Sequence, residues 1–246
     1  MRTYFSFVVM RANDRFPMIL KLHTHMFMAR LVSAASPYFQ SNNEKGIKMT
    51  AHDHEVVSIY GHSEEQKHEL MTRAPECVLM WATRDGWPVG VVHAFVWRDD
   101  KIWITFSSHR HRAAAIRRDN RVSVTVSGAA SQDPKCPRGA VTVKGKGTFH
   151  DDDETKKWFY RALAKKVSPD SKQGEDDFYN LLNSPLRTIL EVVPEKWISF
   201  DAEKSAKDRA GLLRDDEKTP PLSSDVDRMK KERERRGMEP RNPNDQ

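Results

Sequence analysis

From residue 76 to residue 201 the apolar positions fall into short blocks divided by turn residues. Cys77 to Ala82 is a continuous apolar run, and Val89 to Trp97 is a second one, apolar on both faces. Ile102 to Phe106 is branched or aromatic around one Thr, and Val122, Val124 and Val126 alternate with Ser123 and Thr125. Ala140 to Phe149 and Arg187 to Val193 complete the series, with Pro194 expected to break the last strand before Lys196 to Phe200 resumes it. Such blocks predict about six strands. Arg84-Asp85-Gly86-Trp87-Pro88 and Arg98-Asp99-Asp100-Lys101 are tight reversals, and Gly145 and Gly147 allow a bulge. Helical spacing appears from about Glu64 to Thr72, from His109 to Arg118, from Asp151 or Asp152 to about Lys166, and around Asp176 to Leu182. The expected fold is mainly β with inserted helices (α+β), built on a small antiparallel barrel. No internal repeat is present.

Chemistry concentrates at one joint. Between the strand at Ile102–Phe106 and the helix at His109–Arg118, Ser107 and Ser108 offer hydroxyls. They are followed by His109, Arg110, His111 and Arg112. A helix N-terminus already carries partial positive charge, so basic side chains there are unfavourable unless an anion answers them. Hydroxyls, free N–H groups and guanidinium forks together suit a phosphate. A solvated basic first turn is the plainer alternative.

The remaining clusters read as structural. His52, His54, His62 and His68 lack ligand spacing and are expected at the surface. Asp151-Asp152-Asp153 is expected to cap a helix rather than hold a cation. Trp97 and Trp103 are expected in the core rather than as stacking platforms.

Composition narrows the partners. Of 246 residues, 38% are hydrophobic and 31% charged, and the net charge is +6. That charge is not where the core is. Residues 1–48 hold seven Lys/Arg against two Asp/Glu, residues 49–201 hold 22 against 22, and residues 202–246 hold twelve against eleven. A neutral core does not call for nucleic acid. Cys77 and Cys136 show no metal spacing and fit a reduced, cytoplasmic compartment. No apolar run reaches membrane-spanning length. Residues 1–48 are expected to be a poorly ordered extension, like a transit peptide or sequence upstream of a start at Met49. Residues 49–201 form the barrel domain, and residues 202–246 are expected to be a disordered charged tail.

Several motifs in order carry a resemblance. They are Ala82-Thr83-x-Asp85-Gly86-x-Pro88, Phe95-Val96-Trp97, Ile102-Trp103-Ile104-Thr105 and Arg117-Arg118-Asp119-Asn120-Arg121-Val122-Ser123-Val124. Val143-Lys144-Gly145-Lys146-Gly147 and Glu191-Val192-Val193-Pro194-Glu195-Lys196 follow. The stretch resembles the pyridoxamine 5′-phosphate oxidase-like family of flavin-binding split β-barrels. The resemblance implies a homodimer with FMN at the subunit interface. It puts the phosphate near Thr105, Ser107, Arg110, His111 and Arg112. The polar edge of the ring falls near Val91, Val92 and His93, with Trp197 or Phe200 of the other subunit flanking it. His111 stands where the family often has Arg, so its charge depends on protonation. The substrate-phosphate residues and Arg-rich ending of the vitamin-B6 oxidase are not evident.

The reading is therefore an FMN-dependent oxidoreductase acting on an unidentified small molecule. An F420-dependent reductase on the same fold and a non-catalytic flavin- or haem-binding module are the alternatives. His93 could act as an acid or base, but a hydrogen-bonded core histidine is the favoured role.

Overall fold

The computed structural model describes residues 55–239; the expected extension at 1–48 and His52 and His54 lie outside them. Among the described residues, seven strands and six helices follow one another, with a few 3-10 turns. Helix α1 (Glu64–Arg73) leads into β1 (Glu76–Ala82), β2 (Pro88–Ala94), β3 (Val96–Arg98) and β4 (Lys101–Ser107). Helix α2 (His111–Arg118), β5 (Arg121–Ser127) and β6 (Gly139–His150) come next. Helices α3 (Asp153–Val167) and α4 (Lys172–Leu182) precede β7 (Arg187–Asp201), α5 (Ala202–Arg209) and α6 (Ser223–Arg235).

All strands join one antiparallel sheet in the order β2-β1-β5-β6-β7-β4-β3. Its two edges, β2 and β3, are one run of chain interrupted at Phe95. The first half pairs with β1 and the second with β4, so the sheet curls until the chain itself bridges its edges. That switch of partner is why one expected strand became two.

Strand alternation sorts the side chains. Leu79, Ile104, Phe106, Val124, Val143 and Leu190 fill the concave interior. The opposite face of β4 and β7 carries Trp103 and Ile189 against Phe159, Tyr160 and Leu163 of α3 and Leu182 of α4. Asp152 caps α3, its Oδ1 accepting from the Thr155 N–H at 2.8 Å. The Asp99-Asp100 reversal takes positive φ at both residues (54° and 55°), which suits short Asp side chains.

Three expectations change. Pro194 does not break β7, because the register shift between Lys144 and Gly145 absorbs it. A Cβ on Gly145 would meet Val193 O at 2.2 Å, so glycine permits that bulge. His62 is not a surface residue but 4% exposed, with Nδ1 3.6 Å from Asp201 Oδ2. Residues 202–239, expected to be disordered, carry α5 and α6 and run back over the 58–62 segment. The Tyr60 hydroxyl donates to Asp208 Oδ2 (2.6 Å), the Thr219 N–H to Ile59 O (2.8 Å) and Lys204 Nζ to Gly61 O (2.9 Å). Neither helix buries an apolar residue, so hydrophobic patterning had no means of finding this contact.

Candidate functional site: the β4–α2 joint

The joint forms where β4 ends at Ser107 and the chain turns into α2. Two backbone bonds fix the turn: the Arg110 N–H donates to Ser107 O (3.0 Å) and the Ser108 N–H to Leu186 O (2.7 Å). The helix starts two residues later than its sequence suggests. Arg110, not a serine, is the N-cap, and its side chain makes no capping bond. The Ala113 N–H turns back to Arg110 O (2.9 Å), which leaves the His111 and Arg112 N–H groups open to a ligand, and the first turn holds no acidic residue.

Arg110 and His111 are exposed at this turn, and Ser107 is half-buried. Arg112 turns inward. Its Nη1 lies 2.6 Å from His93 Nε2, and the guanidinium sits 5.4 Å from the Phe106 ring and 5.9 Å from the Trp81 ring. Register places His93 opposite Cys77, on the interior face, with its ring 5.7 Å from Phe106. An arginine only donates, so Nε2 must accept, and the histidine is neutral with its proton on Nδ1. Burial, then Arg112 and Arg187, push the His93 pKa down to about 4. Burial and the neighbouring Arg110 also lower the pKa of Arg112.

The other expected residues divide. Thr105 is buried beside the joint, but its hydroxyl donates to Thr188 O (2.8 Å) within the sheet. Val91 packs into the interior, while Val92 faces outward and is 55% exposed. Trp197 is not at the joint. It packs against Trp97, centroids 5.9 Å apart, beneath Lys67.

Two arginines that sequence reasoning left out belong here. Arg117 donates to Ser108 O (3.2 Å) and lies over Phe149 at 4.7 Å. Arg187 opens β7 directly opposite Ser107. Its Nε is buried without a hydrogen-bond partner. The signal for Arg187 is tertiary, since only strand register brings it to the joint.

Among the described residues, Arg110, Arg112 and Arg187 have no carboxylate within ion-pair distance. Cations gathered without counter-charge fit an anionic ligand. The model of the pyridoxamine 5′-phosphate oxidase family matches residues 63–201. The chain belongs to this family.

No curated protein matches the chain. Among solved structures, the conserved hypothetical protein Rv2991 from Mycobacterium tuberculosis is 17% identical, with 68% of this chain and 97% of that one covered, at a TM-score of 0.52. An F420 reductase is 20% identical over 56% of this chain and 98% of its own, at 0.42. HutZ, the heme storage protein from Vibrio cholerae, is 14% identical over 57% and 97%, at 0.42. Rv2991 shows a shared fold, and the other two add nothing to that. Within the pyridoxamine 5′-phosphate oxidase family, this chain has the split-barrel sheet with a basic helix start. Among the described residues no helix is long and apolar enough to cross a membrane, and no group of three or more His, Cys, Asp or Glu could hold a metal ion.

Proposed function

We propose that the protein is an FMN-dependent oxidoreductase that works as a homodimer on a small-molecule substrate. The observation that carries this reading is the acid-free group of Arg110, Arg112 and Arg187 around the open first turn of α2. Ser107, Arg110, His111 and the α2 N–H groups would hold the phosphate. Arg112, braced by neutral His93, supplies fixed positive charge behind them. Bound flavin supplies the hydride chemistry, and the protein supplies binding, orientation and field.

The outer sheet face supports the dimer. Register aligns Val92, Val78, Thr125, Thr142 and Ile198 in one row across five strands. Val92 and Ile198 are 55% and 49% exposed, and Phe200 on the same face is 36% exposed. A second protomer seated there would cover them and bring its own β2 and β7 to the flavin. Both cysteines are free and buried, and burial pushes the Cys77 thiol up to about 12, which leaves it unreactive and suits the cytoplasm.

The test is flavin titration of purified protein. Arg112→Ala is expected to weaken FMN binding by about 1.5–3 kcal/mol, the loss of a charge-assisted contact. Unchanged affinity removes Arg112 from the site. A colourless protein that ignores FMN and takes up F420 replaces the flavin with the deazaflavin.

A further inference from the structure

The outer face of β4 and β7 carries an unexplained set of polar groups under α3. Trp103, Thr105 and Ser107 lie on this face of β4, and Glu191, Ile189 and Arg187 lie opposite them on β7. Toward the far end every charge is answered. His150 Nε2 is 2.9 Å from Glu191 Oε2, and Lys101 Nζ is 3.0 Å from Glu191 Oε1. Toward the joint nothing is answered. Arg187 Nε is buried with no partner. The Tyr160 hydroxyl is also buried, on a residue 1% exposed, and its side-chain neighbour is the Thr105 hydroxyl. The two are neighbours: Tyr160 faces Thr105 and feels the charge of Arg187. Asp151 and Tyr179 are the other titratable groups near the phenol, and Asp151 is exposed.

Burial raises the Tyr160 pKa above its ordinary value, so the phenol keeps its proton and can donate. Arg187 has only donors. Thr105 gives its proton to Thr188 O, and its oxygen keeps lone pairs that can accept from the Tyr160 hydroxyl beside it. The Arg187 Nε is a buried donor with no acceptor, a standing cost that an anionic oxygen would remove. Arg187 is half-buried with its Nε inside, and its backbone pairs with Ser107, where the chain leaves β4 for α2. A phosphate on that turn can accept from the fork of Arg187 in the bidentate manner that a guanidinium favours.

We propose that Arg187 is the deep ligand of the phosphate seated at the start of α2. The assignment rests on the reading of the joint as the flavin-phosphate site. It gives that site a residue from the last strand of the barrel, held in place by the pairing of β7 with β4.

The test compares FMN with riboflavin, which lacks the phosphate, by quenching of flavin fluorescence. In Arg187→Met, FMN binding is expected to weaken about 10- to 100-fold, with riboflavin binding unchanged. Arg187→Lys keeps the charge without the fork and should fall between. Unchanged FMN affinity in Arg187→Met overturns the assignment and leaves the flavin reading standing. Equal losses for FMN and riboflavin also overturn it, since the effect is then on the ring or the fold. A second measurement separates the two readings: the rise in Tm on replacing chloride with inorganic phosphate at equal ionic strength. If neither flavin binds wild type but phosphate raises its Tm and not that of Arg187→Met, the Arg187 assignment stands and the flavin reading falls. A phosphate-dependent rise that survives in Arg187→Met overturns the assignment.

Discussion

Asp201 closes β7 and Arg187 opens it. Asp201 is 1% exposed, and its carboxylate is surrounded by donors: the Glu203 N–H (2.9 Å), the Lys204 N–H (3.1 Å), Gln66 Nε2 (2.8 Å) and His62 at ion-pair distance. Burial pushes its pKa up, but His62, the Lys204 N–H and Gln66 more than reverse that, to about 2. Arg187, on the same strand, has a buried Nε with no acceptor. A charge that exists to hold a fold together is satisfied by the fold. A charge that exists for a ligand is left waiting for one. The two ends of one strand therefore differ in whether the fold itself answers the charge, although the ring nitrogens of His62 beside Asp201 are buried without a hydrogen bond as well.

The strongest way to break this comparison is to remove the satisfied charge. Asp201→Ala strips the cap from α5, takes the acceptor from the half-buried Gln66 amide and removes the carboxylate beside buried His62. The expected loss is about 3 kcal/mol of stability, from the deserted pair and the cap together. Urea unfolding measures it. The tail should also become sensitive to protease, because Asp201 is the point from which α5 turns back over residues 58–62. A variant as stable as wild type would show that the clasp contributes little and that satisfaction is a poor guide to structural role.

The same contrast explains what the sequence could reveal. The β4–α2–β5 stretch was legible because its signals are local: branched runs, an alanine-rich helix and alternating valines. Even there the helix start fell at His111 rather than His109, because the Ser107 N-terminal hydroxyl reading ignored that Ser107 still pairs in β4. Arg112 was found as a charge but not as a residue turned into the barrel, since that depends on Trp81 and Phe106 meeting from different strands. Pro194 read as a breaker because its partner, the Gly145 bulge, lies on another strand. Arg187 and the clasp at Asp201 were hidden for one reason: both are made by polar groups from distant segments, which leave no periodicity.

Acid sharpens the contrast at the unsatisfied end. His93 is the one group that accepts from Arg112, and it does so only while neutral. Its folded pKa of about 4 lies below the ordinary value of 6.5, so between these pH values the unfolded chain binds more protons than the folded one. Its share of stability is complete above about pH 6.5 and is lost as pH falls toward 4. The loss between pH 7 and pH 5 is expected to be about 2 kcal/mol. Urea titrations at the two pH values measure it, and His93→Gln should flatten the difference. NMR titration of the His93 ring adds a second check, because Arg112→Ala removes a positive neighbour and should move its pKa upward. A ring that titrates near 6.5 in wild type would mean that Arg112 and His93 do not share the proton-free contact.

The smallest expected effect is the most discriminating. Without ligand, Arg187→Met removes a charge whose buried Nε has no partner, and it puts an apolar chain of similar length beside Tyr160. An unsatisfied buried donor costs stability rather than adding it. The change in stability in phosphate-free buffer is therefore expected to stay within about 0.5 kcal/mol of zero, measured by the same urea unfolding as Asp201→Ala. A loss approaching that of Asp201→Ala would show that Arg187 supports the barrel directly, and the two ends of β7 would no longer differ in kind.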